Sequence, residues 1–304
     1  MTIIEHKRTK MGISIQTNYA NLVAKNTLQG TNNDLSKSLE RLSTGFRINS
    51  AADDAAGLQI ANRLEAQNRA MSVATKNAQN AISMMQTAEG ALDEATNIAF
   101  RMNDLATQAN NGTSSVADKM AMEAEFSALE DELVSIMENT TFGGEKLLAQ
   151  DRGIFDVGTV NFQIGATSTE TLDVDISGKI NDFKFLVNTD PYINLGKLTD
   201  ANSGTPGAIS GTGPVHSMEQ ISKLIDGLGA ARSSLGAYIN RLEHTITNLG
   251  NMQENTAAAK SRIMDTDFAS ESGQLSKSQM LMQSGASMLS TTKMSSQIAM
   301  SLLS

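Results

Sequence analysis

Proline is confined to one stretch of this 304-residue chain: residues 1–190 contain none, and Pro191, Pro206 and Pro214 follow within a short segment. Proline lacks a backbone N–H and clashes with the preceding turn inside a helix. Its absence frees the chain to run long helices on both sides of a single interruption. The flanks use that freedom, because apolar residues recur in them at a spacing of seven, the period of one helix packed along another. The pattern predicts a mainly α fold: a long antiparallel helical bundle or coiled coil formed by the N- and C-terminal segments, with a small β-hairpin region.

In the first flank, Leu28, Leu35 and Leu42 are seven apart, and Leu39 and Phe46 stand four beyond the last two. These five residues are the predicted seam of an N-terminal helix. The residues between them are mostly Ser, Thr, Asn and Gln, so this helix needs a partner to stay folded. Asn49–Asp54 interrupts the pattern, and Ser50 or Asp53 is the expected N-cap of the next helix. There the strongest repeat begins: Gly57, Leu64, Met71, Ala78, Met85, Leu92, Ala99 and Ala106, with Ile60, Ala74, Ala81, Ala88, Ala95, Met102 and Ala109 three residues after most of them. At ~1.5 Å per residue a helix over 54–110 is about 85 Å long.

Asn110–Ser115 reads as a turn, followed by a second antiparallel helix through Met122, Phe126, Leu129, Leu133 and Ile136 and ending over Asn139–Gly144. The period then drops to two. Val160, Phe162 and Ile164 alternate with polar residues, as do Leu172, Val174 and Ile176, with Gly165–Glu170 as the hairpin loop. Asp173 and Asp175 fall on the solvent face of the second strand. After the proline-bearing segment 188–215, seven-residue rows return: Ile221, Leu228, Leu235, Leu242 and Leu249, beside Leu224, Ala231, Tyr238 and Met252. A last stretch, 268–304, carries Leu275, Met282 and Leu289 in register, with Glu271, Lys277 and Lys293 as its charged side chains.

Composition agrees with helix-on-helix packing. Aromatics make up 4% of the chain, tryptophan is absent and there are 17 methionines, so the core is built from Ala, Leu, Ile and Met. The absence of cysteine rules out disulfides and thiolate metal sites. A net charge of −9 with no basic stripe argues against nucleic acid as a partner. No window approaches the roughly 18 apolar residues of a membrane span. The basic start, Met1 to Lys10, is followed by no apolar run of signal-peptide length.

Catalytic chemistry finds no footing. His6, His216 and His244 have no zinc-ligand spacing. The carboxylate pairs Asp53–Asp54 and Asp265/Asp267 lack the glycine-centred loop of a calcium site and read as helix caps. Gly227-x-Gly229 lacks the rest of a dinucleotide fingerprint, and no phosphate-binding loop, Gly-x-Ser-x-Gly or His-Glu-x-x-His is present. The expectation is a protein that is not an enzyme, with no cofactor, no metal and no catalytic residues.

Four blocks closely resemble bacterial flagellin. They are Ser38-Leu-Glu-Arg-Leu-Ser-Thr-Gly-Phe-Arg-Ile-Asn-Ser-Ala-Ala-Asp-Asp-Ala-Ala-Gly57, Gln86-Thr-Ala-Glu-Gly-Ala-Leu92, Leu235-Gly-Ala-Tyr-Ile-Asn-Arg-Leu-Glu-His-Thr-Ile246 and Ser261-Arg-Ile-Met-Asp-Thr-Asp267. The resemblance covers roughly 11–150 and 216–304. The short middle and methionine-rich helices look most like the smaller lateral flagellins.

The resemblance implies a structural subunit that polymerises into the flagellar filament for swimming or swarming. It would be exported unfolded by the flagellar type III apparatus without a cleaved signal peptide and be located in the extracellular filament. A hook–filament junction protein, which shares the terminal helices, is the alternative. The implied domains are 11–53 with 263–304 as terminal coiled-coil helices and spoke (the D0 layer), and 54–187 with 216–262 as a helical D1 bundle plus β-hairpins. Residues 188–215 would be a short variable surface loop. Family chains begin at a pattern matching Met11-Gly-Ile-Ser-Ile15, so 1–10 would be an extension outside the fold.

The polymerisation seams implied are Leu28, Leu35, Leu39, Leu42 and Phe46 with Leu275, Met282 and Leu289; the spoke residues are Arg41, Arg47, Asn49, Asp53 and Asp54. The implied partners are further copies of the chain, an export chaperone and the filament cap, with neither nucleic acid nor membrane among them. A host innate immune receptor would meet Arg101, Leu105 and Glu125, with Asn103 standing where relatives often have a second Arg.

Overall fold

The computed structural model describes residues 19–149, 152–180 and 214–301. The elements are α1 (Tyr19–Thr44), α2 (Ala55–Ala109), α3 (Val116–Asn139), β1 (Thr141–Phe142), β2 (Glu145–Lys146), β3 (Val160–Gln163), β4 (Thr171–Val174), α4 (Pro214–Met264) and α5 (Phe268–Ser301). The extension 1–10, the family start at Met11 and most of the 188–215 loop lie outside the described residues. Pro214 and Val215 are the exceptions, being the first two residues of α4 rather than part of a loop. At a helix's first turn proline's missing N–H costs nothing and its fixed φ is already helical.

The chain forms two compact units, residues 1–66 with 256–304 and residues 67–255. Their borders fall inside α2 and α4, whereas the sequence places the domain breaks at 53/54 and 262/263.

In the first unit α1 and α5 pack on each other. They run antiparallel, because Leu28 meets Gly285 while Arg41 pairs with Glu271 at 3.5 Å. α1 stops at Gly45, whose φ of 77° is the left-handed conformation that glycine adopts without strain, and whose N–H donates to the Arg41 carbonyl at 2.8 Å. The cap of α2 is Asp54, not Ser50 or Asp53: its Oδ1 accepts from the Gly57 N–H at 2.8 Å. Asp53 closes the preceding turn instead, its Oδ2 accepting from the N–H groups of Ser50 (3.0 Å) and Asn49 (3.2 Å) and from the Ser50 hydroxyl. Those donors hold its carboxyl below the ordinary carboxylate range. Asp267 caps α5 through the Ala269 and Ser270 N–H groups.

In the second unit one apolar core draws on α2, α3, the β3–β4 hairpin and α4. α2 and α4 are antiparallel there: Met71 clusters with Leu249, and further along Asp93 pairs with Arg232 at 2.8 Å. The alanine stripe is buried as the repeat requires, from Ala74 to Ala109, and small side chains permit close helix approach. α3 opens with a reciprocal capping box between Ser115 and Asp118. It buries Met122, Phe126, Leu133 and Met137, so Met137 takes the deep position expected of Ile136.

The hairpin pairs Val160 with Val174 and Phe162 with Leu172, with Leu172, Val174 and Ile176 buried and Asp173 and Asp175 exposed. The β1–β2 hairpin is not anticipated by the sequence reading, which ends a helix there. Its two central residues, Gly143 and Gly144, have φ of 62° and 91°, the two positive values that a tight two-residue β-turn demands.

Two residues of the seven-residue rows face outward. Ile60 is 42% exposed and Met252 36% exposed; Ala61 and Gln253 take the inner positions. Along α2 the inner row runs 57, 61, 64, 68, 71, 74, 78. The two successive steps of three at 68–71–74 change its phase, which a fixed seven-residue template does not allow for.

Candidate functional site

The α1–α5 seam is narrower than the leucine spacing suggests. Leu28, Leu35 and Leu42 face it from α1, and Leu275, Met282 and Leu289 from α5, all half-buried. Between them lie small residues: Ser38 and Ser278 are both buried, and a β-carbon added to Gly285 would stand 2.9 Å from Leu28 Cδ1. A small or hydroxyl residue stands three positions after several of the large apolar ones, as in Leu35/Ser38, Leu275/Ser278 and Met282/Gly285. The two backbones therefore approach closely, and the seam is covered by few side chains.

Leu39 and Phe46 do not belong to that seam. Leu39 is 51% exposed and Phe46 39% exposed, because the inner row of α1 advances by three residues from Leu35 to Ser38 rather than by four. They join an outward apolar set: Leu22 and Val23 on α1, and Met280, Leu281, Met288 and Met294 on α5. A groove of about 690 Å³ between the two helices is lined by Tyr19, Val23, Leu28, Leu281, Gly285 and Met288. Single apolar residues are ordinary on a protein surface, but this many on one two-helix pair, three of them lining a shared groove, mark a contact surface.

The connectors joining these helices to α2 and α4 are bonded main chain to main chain. Phe46 forms a β-bridge with Asp265, Arg47 N–H donates to the Met264 carbonyl at 2.6 Å, and Thr266 N–H donates to the Gly45 carbonyl at 3.0 Å. The Arg47 guanidinium adds a bond to the Ile263 carbonyl at 2.8 Å, and the Asn49 amide donates to the Phe46 carbonyl at 3.0 Å. The five expected spoke residues sit at or beside this clamp: Arg41 through Glu271, Arg47 and Asn49 through carbonyls, Asp53 and Asp54 through their turn and cap. Ile48 is buried behind it, 2.8 Å from where a Gly57 β-carbon would be. The opening position of the long repeat is therefore a glycine for steric reasons.

In the second unit Arg101 and Glu125 form an exposed ion pair, Nε and Nη2 to Oε1 at 2.8 and 2.6 Å. Leu105 does not share their surface. It is 2% exposed and part of the core, being one of the inner row that continues through Ala106 and Ala109. Among the described residues no helix is long and apolar enough to cross a membrane.

Two family descriptions match this chain: the bacterial flagellin N-terminal helical region over residues 15–152, and the bacterial flagellin C-terminal helical region over 218–303. The chain belongs to the bacterial flagellin family. Flagellin D of Vibrio anguillarum is 35% identical to it over 96% of this chain and all of that protein. Polar flagellin C of Vibrio parahaemolyticus serotype O3:K6 is 37% identical over the same shares. The crystal structure of Bacillus cereus flagellin shares 26% identity, covering 61% of this chain and 94% of that one at a TM-score of 0.43.

This flagellin is a structural subunit of the flagellar filament and assembles with copies of itself; membership in a structural family makes it a non-enzymatic protein. The junction-protein alternative is not favoured. The two matched regions contain all the terminal, spoke and ion-pair residues, while 153–217 lies between them. Sequence reasoning missed the outward set on α5. Met280 and Leu281 lie between positions of the inner row, one turn beyond the exposed Lys277, so no periodic signal marks them.

Proposed function

We propose that the outward apolar faces of α1 and α5 are the surface through which this flagellin polymerises, with Leu28, Leu35, Leu42, Leu275, Met282 and Leu289 holding the two helices together within each subunit. Leu39 and Phe46 then serve contacts between subunits. The observation that carries this reading is the exposure of Leu22, Val23, Leu39, Met280, Leu281 and Met288 on a two-helix pair, with Val23, Leu281 and Met288 lining one groove. Two helices alone cannot bury that area, and neighbouring copies supply the missing cover at ~25 cal/mol per Å².

Each part of the chain then has its own task. Residues 11–53 with 263–304 form the inner helices and spoke, and 54–187 with 216–262 the outer bundle. The subunit travels unfolded through the flagellar type III apparatus, kept from premature association by an export chaperone, and is added beneath the filament cap outside the cell. The exposed Arg101–Glu125 pair is the surface offered to a host innate immune receptor, and Leu105, buried in the core, is not part of it.

Seeded elongation followed by electron microscopy tests the central claim. The full chain is expected to extend filament seeds, and a chain lacking 285–304 is expected not to while keeping the helicity of the second unit by circular dichroism. Filament growth by the truncated chain would overturn it.

A further inference from the structure

We infer that α5 carries an oxidation-sensitive assembly site: the exposed methionines Met280, Met288 and Met294, which a peroxide converts to sulfoxides that block incorporation into the filament. The inference rests on the polymerisation surface proposed above and adds a chemical control to it.

These side chains are 65%, 68% and 58% exposed, so their sulfur atoms are reachable in the free subunit. Met282, one helical turn before the close approach at Gly285, is half-buried against α1 and is less accessible. Met288 lines the apolar groove between α1 and α5 beside Leu281, Val23 and Leu28. Met280 lies two residues before Met282, and hence on the side of α5 turned away from α1. Met294, fourteen after Met280, repeats that helical face to within a fraction of a turn.

The chemistry needs no protein catalyst. The thioether sulfur attacks one oxygen of hydrogen peroxide, the O–O bond breaks, and the products are the sulfoxide and water; sulfur is oxidised by two electrons and the peroxide reduced by two. The change matters because of where it falls. A flexible apolar side chain becomes a polar one with a strong acceptor oxygen, and burying such an oxygen without a donor is unfavourable. The hydroxyls nearest Met288 are already engaged within α5, since Ser287, Thr291 and Thr292 donate to the Gln283, Ser287 and Met288 carbonyls, and the apolar contact that the thioether would make is lost whether or not another donor is found. A subunit already in the filament has these sulfurs covered, so the same residues would resist oxidation once assembled. Assembly and damage would then compete for one surface.

The test compares elongation of filament seeds by the full chain before and after dilute hydrogen peroxide, with sulfoxides located by peptide mass spectrometry. Elongation is expected to fall by about tenfold or more, the effect of losing one well-buried apolar contact, and to return after treatment with the two methionine sulfoxide reductases. The triple variant Met280→Leu/Met288→Leu/Met294→Leu, compared with itself, is expected to elongate equally with and without peroxide. A triple variant that stays sensitive would place the effect at Met120, Met252 or elsewhere and overturn the inference. Independently of any variant, Met280 and Met288 are expected to oxidise more slowly in filaments than in free subunits, and equal rates would also overturn it. If the unoxidised chain failed to extend seeds at all, the polymerisation reading would fall first, whereas undiminished growth by the sulfoxide form removes this inference alone.

Discussion

Leu28 Cδ1 occupies the space beside Gly285, 2.9 Å from where a β-carbon there would stand. Two opposing effects meet at this position. Replacing a mid-helix glycine by alanine gains about 1 kcal/mol of helix propensity, while overpacking costs ~1–3 kcal/mol when the neighbour cannot yield. The obstructing atom is the end of a flexible side chain, so Gly285→Ala is expected to be near neutral in the heat dissociation of filaments. Gly285→Leu, too large for a rotamer change at Leu28 to accommodate, is expected to lower stability by about 2 kcal/mol. Combining it with Leu28→Ala should recover part of that loss, and strict additivity of the two changes would show that the contact is not formed.

Glu130 gives a pH dependence with a definite sign. Its carboxyl is pushed up to about 7, first by burial and then by the nearby charges of Glu123 and Asp131. The folded chain therefore keeps a proton that the unfolded chain has released, and stability falls as pH rises from the ordinary value of 4.5 to about 7. Glu130→Gln is expected to match the parent at pH 4 and to exceed it at pH 8 by about 1 kcal/mol, allowing for the group's partial exposure. Thermal unfolding at the two pH values checks this, and an equal gain at both would mean the charge is not the cause.

Arg101 and Leu105 are four residues apart and should behave oppositely. Arg101→Ala removes one half of an exposed pair, worth under ~1 kcal/mol, and should leave the melting temperature almost unchanged. Leu105→Ala opens a cavity in the core and should cost about 2–5 kcal/mol. If receptor activation is measured on the same proteins, the Arg101 variant is expected to lose it without losing stability.

The terminal pair should be the most labile part of the free subunit. Ordering costs ~1–2 kcal/mol per residue, and α1 and α5 bury little beyond their narrow seam. Brief trypsin treatment of monomer is expected to cut at Lys25, Arg41 and Lys293 before it cuts within 67–255, and filaments should be spared. Arg41 is the most informative of the three because it is held by Glu271; if it were resistant in monomer, the pair would be stable unaided.

Asp54 tests the capping assignment. Asp54→Ala is expected to cost about 1 kcal/mol in thermal unfolding, and Asp54→Asn much less, since the amide oxygen can still accept from Gly57.

Much of this was legible from spacing, and the failures share a cause. The seven-residue rows located α2, α4 and α5 because alanine, leucine and methionine sit on one face over many turns. The same template misassigned Leu39, Ile60 and Met252, each where the inner row takes an unexpected step of three or four. Apolarity cannot distinguish a residue facing its own chain from one reserved for a neighbouring copy; both are leucines at helical spacing. Leu105 was misread for the opposite reason, since a resemblance carries a position but not its exposure. The Gly143–Gly144 turn was signalled plainly by two adjacent glycines and lost because the strands beside it are only two residues long.

The clamp of Gly45–Arg47 against Met264–Thr266 has a consequence for how such chains diversify. It closes a ring of backbone, and whatever lies within the ring can lengthen or shorten without altering the distance between the two places where it is fastened. A one-residue insertion between the fastening and either terminal helix, by contrast, would turn that helix by ~100° and carry Leu28 away from Gly285. Freedom inside the ring and strictness outside it are the same fact, and the unmatched stretch 153–217 lies where change is least disruptive.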